Sequence, residues 1–169
     1  LLVKENDPRV LGFFTRAVEE LSEGELFQMQ KASKLDTSES DYLHIITRKT
    51  SSLFVAAVAS AAYSCGAGDK IIEDMGKYAY HLGIAFQIRD DIFDYMPDLN
   101  TGKNAGSDIR EKKITLPLIC AFNTAGESEK GEMLRVIKES RYNDDSLVNK
   151  TLDFVKKYNG ISSAQEALT

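Results

Sequence analysis

An all-α fold, a bundle of helices, is what this sequence predicts. Three observations carry it: only three prolines in 169 residues, apolar side chains recurring at every third or fourth position, and no alternating strand pattern. The length suits one helical domain with a real core, spanning residues 1–169. Asp7 before Pro8 is an N-cap and first helical residue, after which Val10, Phe13, Phe14, Ala17, Val18 and Leu21 define a helix into the low thirties. Ser38 with Asp41 forms a capping box for a second helix, whose one face carries Tyr42, Ile45, Ile46, Lys49, Leu53, Ala56, Ala57 and Ser60. Its apolar stretch Leu53 to Tyr63 is shorter than the roughly 20 residues of a membrane span. It reads as a buried helix of a soluble protein, ended by Gly66 and Gly68. A third long helix opens near Asp69 and runs until Pro97 forbids it. From Pro97 to about Ile114 the composition is that of a loop, long enough to be functional. Pro117 suits the first turn of a helix reaching Phe122. Ser128 to Glu139 and Asp144 to Tyr158 carry helical stripes, Asn159 and Gly160 stop the latter, and a last helix starts at Ile161.

Twenty-one Lys and Arg against 26 Asp and Glu leave a net charge of -5, which argues against nucleic acid or an acidic membrane as a partner of the whole surface. No stretch is long enough to be transmembrane. Two cysteines, Cys65 and Cys120, without a secretory leader, point to reduced thiols and a cytoplasmic location. His44 and His81 stand alone, far apart in sequence, and read as structural.

The chemistry concentrates on the third helix. With Gln87 at zero and about 100° per residue, Asp90, Asp91 and Asp94 fall at about -60°, +40° and -20°, so four polar groups share one face. That face continues through Ile84, Gly83, Tyr80 and Gly76, which reads as the wall of a cavity with acids at its mouth. Three carboxylates within about one turn repel unless they share a cation. Magnesium meets that need, because it takes oxygen ligands and is typically held by one or two carboxylates plus substrate phosphates. The alternative is an ordinary solvated acidic turn. Against it, Lys103, Arg110, Lys112 and Lys113 follow with only Asp108 and Glu111 to balance them, an arrangement suited to a diphosphate with metal on one flank and cations on the other. Arg110 and Lys112 are expected to face solvent. Gly102-Lys103 lacks the flanking residues of a P-loop, and the Asp98 stretch lacks the Gly and Glu of a calcium loop. Lys49 and Thr50 interrupt the apolar face of the second helix, so Lys49 is either a snorkelling surface lysine or a cation aimed at a buried anion.

Gly24-Glu25, Arg48-Lys49-Thr50, the string Gln87 to Asp94, Thr101-Gly102-Lys103 through Asp108 to Lys113, and Thr115-x-Pro117 together resemble the trans-isoprenyl diphosphate synthases, or polyprenyl synthetases. The resemblance spans Leu11 to about Phe122. It implies a partial isoprenoid-synthase fold and a prenyltransferase that condenses an allylic prenyl diphosphate with isopentenyl diphosphate, head to tail, in isoprenoid biosynthesis. By the same resemblance Asp90, Asp91 and Asp94 look like the second aspartate-rich motif, which holds Mg2+. Lys49, Lys103 and Lys113 look like lysines that contact the allylic diphosphate, and Thr50 and Gln87 resemble residues lining the developing cation. The full-length enzyme is expected to be a homodimer.

The departure is equally specific. The family's first Asp-Asp-x-x-Asp motif has no counterpart here, since Asp144-Asp145 lacks a third acid at the required spacing. The expectation is therefore the C-terminal part of a longer synthase, inactive alone. Two alternatives are a terpene cyclase, disfavoured by Lys103 and by the Gln-x-x-Asp-Asp-x-x-Asp string at the second site, and a non-catalytic synthase-like subunit.

Overall fold

Every regular element is helical among the residues described by the computed structural model, 7–96, 106–140 and 145–168. The order is α1 (Pro8–Lys34), α2 (Glu39–Ile46), a π-helical segment (Thr47–Ser51), α3 (Ser52–Ser64), α4 (Asp69–Asp94), α5 (Ser107–Arg110), α6 (Leu116–Thr124), α7 (Glu127–Glu139), α8 (Asp145–Lys157) and α9 (Gly160–Glu166). None is long and apolar enough to cross a membrane among the described residues. The chain divides into two compact units, Leu1–Met29 with Leu43–Gln87 and Gln30–Tyr42 with Ile88–Thr169.

The helix starts are built as the local sequence dictates. Asp7 Oδ1 accepts the backbone N–H of Arg9 at 2.9 Å and of Val10 at 3.2 Å, satisfying two donors that the first turn leaves orphaned. At the second start the cap is reciprocal. The Ser38 N–H donates to Asp41 Oδ2 at 2.9 Å and the Asp41 N–H to Ser38 Oγ at 3.2 Å.

In the first unit α2 does not run smoothly into α3. The five residues Thr47–Ser51 form one π turn, with backbone bonds to the fifth residue instead of the fourth, a feature frequent at functional sites. This wider turn re-aims the side chains of α3. The stretch expected to be a buried helix is buried only along Ser52, Ala56, Ala59 and Ser60, while Leu53 is 39% exposed and Ala57 is also open. The continuous apolar stripe read from the sequence assumed an unbroken 3.6-residue period, which the π turn interrupts.

In the second unit α6 packs against α8 and α9, α7 against α8, and α5 against α8. Their contacts bury Leu116, Leu118, Ile119, Leu147 and Val155 almost completely. Apolar burial of this kind contributes about 1.5–3 kcal/mol for each large side chain. The region expected to be loop up to Ile114 holds the single turn α5 in its last part. Gly106 precedes that turn in the left-handed conformation at φ 80°, which favours glycine, and its backbone N–H donates to the Asp94 carbonyl at 2.8 Å.

Candidate active site

The first unit carries Lys49, Thr50 and Gln87. Two glycines let the surrounding helices come close to the π turn that holds them. A Cβ on Gly24 of α1 would lie 3.0 Å from Arg48 Cβ and 3.1 Å from the Lys49 nitrogen, and one on Gly83 of α4 would lie 2.7 Å from Ser51 Cα. At that distance Lys49 Nζ reaches α1 and donates to Glu25 Oε2 and Gln28 Oε1, each at 2.7 Å, and Arg48 pairs with Glu23. On the other side the Thr50 hydroxyl donates to Gln87 Oε1 at 2.7 Å, and the Ser51 hydroxyl to the Tyr80 carbonyl at 2.7 Å. Lys49 is thus a paired cation, one-third exposed, and not a lysine snorkelling into open solvent. Gln28 escaped the sequence reading, although its place three residues after Glu25 puts both acceptors on one helix face.

The same unit contains a cavity of about 780 Å³, lined by Phe13, Val55, Ala59, Ile72, Gly76 and Tyr80 among others. Of the stripe read as a cavity wall, Gly76 and Tyr80 line this cavity, whereas Ile84, Gln87 and the acids expected at its mouth are not among its lining residues. Nor is Gly83, being packed on Ser51.

The second unit carries Asp90, Asp91, Asp94 and Lys113. Asp91 is 3% exposed and its Oδ2 accepts the Tyr42 hydroxyl at 2.7 Å. Burial, and the Asp91 carboxylate after it, push the Tyr42 phenol far above its ordinary range, so it stays a proton donor. Tyr95 is likewise buried and pushed up, mainly by desolvation, and accepts the Thr115 hydroxyl at 3.2 Å. Asp94 is engaged across the chain: Oδ1 accepts the Ser107 N–H and hydroxyl, both at 3.0 Å, and Oδ2 accepts the Asp108 N–H at 3.1 Å. Asp108 itself is raised, by burial first and the Asp94 carboxylate second. Asp90 is half-buried.

Lys113 Nζ lies 2.6 Å from Glu111 and 3.6 Å from Asp108. Desolvation works against its charge, but these two carboxylates outweigh it and hold the ammonium above its ordinary range. Arg110 and Lys112 are not simply solvated. Arg110 pairs with Asp145 at 2.9 Å, and Lys112 donates to the Lys138 and Ser140 carbonyls at 3.2 and 2.8 Å, where a cation suits the C-terminal end of α7. Their partners lie 26 to 35 residues away, beyond the reach of local pattern. Lys103 lies outside the described residues, as do Pro97, Thr101 and Gly102.

Whether these acids suit Mg2+ is decided by the donor set. Among the described residues no group of three His, Cys, Asp or Glu side chains converges at ligand spacing. Asp90 and Asp91 nonetheless offer the one or two all-oxygen carboxylates with which magnesium is usually bound, the remaining positions falling to substrate phosphates and water. Soft ligands are absent from this group, so the set fits a hard divalent cation.

The family model for polyprenyl synthetase matches residues 1–155. The all-trans-nonaprenyl-diphosphate synthase (geranyl-diphosphate specific) of Rhodobacter capsulatus is 46% identical over 129 residues, 75% of this chain and 39% of that protein. The geranylgeranyl diphosphate synthase of Sulfolobus acidocaldarius is 35% identical over 151 residues, 89% of this chain and 46% of its own length. Among solved structures, a polyprenyl synthase from Caulobacter crescentus complexed with calcium and isoprenyl diphosphate superposes with a TM-score of 0.89 at 32% identity, covering 99% of this chain and 51% of that one. The chain spans less than half the length of these curated relatives.

Proposed function

Since the chain belongs to the polyprenyl synthetase family, we propose that it serves the Mg2+-dependent head-to-tail condensation of an allylic prenyl diphosphate with isopentenyl diphosphate. In that reaction the allylic C–O bond breaks with both electrons leaving on the diphosphate, the isopentenyl double bond forms the new C–C bond, and a proton is lost. The observation that carries the reading is Asp91: an acid 3% exposed, oriented by a phenol, within a string Gln87 to Asp94 that otherwise has no reason to bury a carboxylate. The names of these two relatives, both prenyl diphosphate synthases, support the same reaction class.

Each residue has a definable task. Asp90 and Asp91, with Asp94 beside them, would hold the magnesium, which when bound neutralises charge on the departing diphosphate. Lys49 and Lys113 bind diphosphate oxygens, each by giving up a carboxylate partner for a more highly charged anion. Thr50 fixes the orientation of the Gln87 amide, so that oxygen lone pairs face the electron-poor allyl group. The reading extends to a homodimer acting in the cytoplasm.

The test is turnover of isopentenyl and allylic diphosphates with Mg2+ in the full-length protein. Asp90→Ala should lower it by about 10² or more, as loss of a principal electrostatic group does. Near-normal turnover would make the triplet an ordinary acidic turn.

A further inference from the structure

Resting on the reading of Asp91 as a metal-binding carboxylate, we infer that Tyr42 is a positioning residue that sets the orientation of the Asp91 carboxylate and thereby its affinity for a divalent cation. The start of α2 supplies a rigid mount. The reciprocal bonds between Ser38 and Asp41 fix the first turn, and the Lys31 ammonium holds Asp41 from a second direction at 2.9 Å. Tyr42 is the next residue, and its own N–H donates to the Ser38 carbonyl at 2.9 Å. Its ring is therefore anchored by a doubly braced turn and is 3% exposed. On the opposing side Asp91 is flanked by Ile88 and Ile92, each 2% exposed, so the backbone that carries the carboxylate is equally fixed.

Between these two mounts the 2.7 Å bond from the phenol holds Oδ2 of the carboxylate. A phenol supplies a single proton, whereas a carboxylate has about four acceptor sites, so this bond orients the group without exhausting it. Outer partners of metal ligands act in this way, and losing one typically costs about 10- to 100-fold in metal affinity.

The experiment uses the full-length protein, with Mn2+ as the probe and inorganic diphosphate as co-ligand, the bound metal being read by electron paramagnetic resonance. Four proteins are compared: the parent, Tyr42→Phe, Asp91→Asn and the double variant. Tyr42→Phe should weaken Mn2+ by about ten-fold, and should add nothing in the Asp91→Asn background, since coupled residues are non-additive. Two results would overturn the inference alone: Mn2+ affinity unchanged in Tyr42→Phe while Asp91→Asn weakens it, or an equal loss in both backgrounds. Unchanged affinity in Asp91→Asn would remove the metal-binding reading, and the inference with it. If Tyr42→Phe fails to fold, 3-fluorotyrosine at position 42 keeps the shape and alters only the donor strength. A change in Mn2+ affinity then supports the positioning role, and an unchanged affinity refutes it.

Discussion

Lys49, one-third exposed, is held by the Glu25 side chain, itself 46% exposed, whereas Asp91, 3% exposed, is held by a phenol buried to the same depth. Both are polar groups with partners at 2.7 Å, so distance alone does not separate them. Surroundings do. An ion pair half in water is worth about 0–1 kcal/mol and is easily exchanged. A hydrogen bond sealed from solvent cannot be replaced by water, and removing one partner leaves the other unsatisfied at about 1–3 kcal/mol. On the proposed reading the first unit keeps its cation ready to change partners, and the second keeps its acid already aimed. A diphosphate arriving from solvent needs the first property, and a metal ligand needs the second.

The widest separation between the two regions should appear in stability. Asp91→Ala strands the Tyr42 hydroxyl and opens a void, so urea unfolding should show a loss of about 2 kcal/mol or more. Lys49→Ala leaves behind two acceptors that are only partly buried, Glu25 and Gln28, and should stay within about 0.5 kcal/mol of the parent. Diphosphate affinity should nevertheless fall by about ten-fold in Lys49→Ala, the worth of one charge-assisted hydrogen bond. Equal destabilisation by the two substitutions would collapse the comparison and make Lys49 a structural residue.

A smaller effect tests whether the π turn is held rigidly enough for its cation to be aimed at all. In Gly83→Ala the new methyl meets Ser51 Cα at 2.7 Å, a backbone atom that cannot swing away. Overpacking of about 1–3 kcal/mol then outweighs the roughly 1 kcal/mol that alanine gains in a helix. In Gly24→Ala the contacts, 3.0 Å to Arg48 Cβ and 3.1 Å to the Lys49 nitrogen, are less severe. The two contributions should nearly cancel, leaving stability within about 1 kcal/mol of the parent. Thermal midpoints would rank the pair, and the reverse order would mean that α1 and not α4 clamps the turn.

What was legible in the sequence was local. The Asp7 and Ser38 caps, the opening of α4 at Asp69 and the shared face of Gln87, Asp90, Asp91 and Asp94 all rest on local spacing, a turn or two of helix at most. The π turn was not legible, because Thr47–Ser51 contains nothing that distinguishes a bond to the fifth residue from one to the fourth, and the exposure of Leu53 follows from that choice. Tyr42 was hidden differently. A tyrosine on an apolar stripe counts as core, and its hydroxyl partner lies 49 residues along the chain. Asp94 likewise finds Ser107 and Asp108 only after the chain returns, and its spacing to Asp90 carries no hint of this.

The smallest effect concerns the capping box that braces Tyr42. The Ser38 hydroxyl, and the Lys31 ammonium after it, hold the Asp41 carboxyl down at about 2 from an ordinary value of 3.8. A depressed acid binds fewer protons folded than unfolded, so its contribution is present in full above the unfolded value and is lost as pH falls through the folded one. Asp41→Asn removes the ionised partner at every pH. The stability gap between parent and variant should therefore be constant near neutrality and close as the pH falls from about 4 to about 2. Because Asp41 is partly open to water, screening keeps this gap smaller than the change in Asp91→Ala. Urea midpoints collected across that window would show it. A gap that does not narrow would mean that the cap works through its neutral hydrogen bonds, with the Lys31 charge contributing nothing to the bracing of Tyr42.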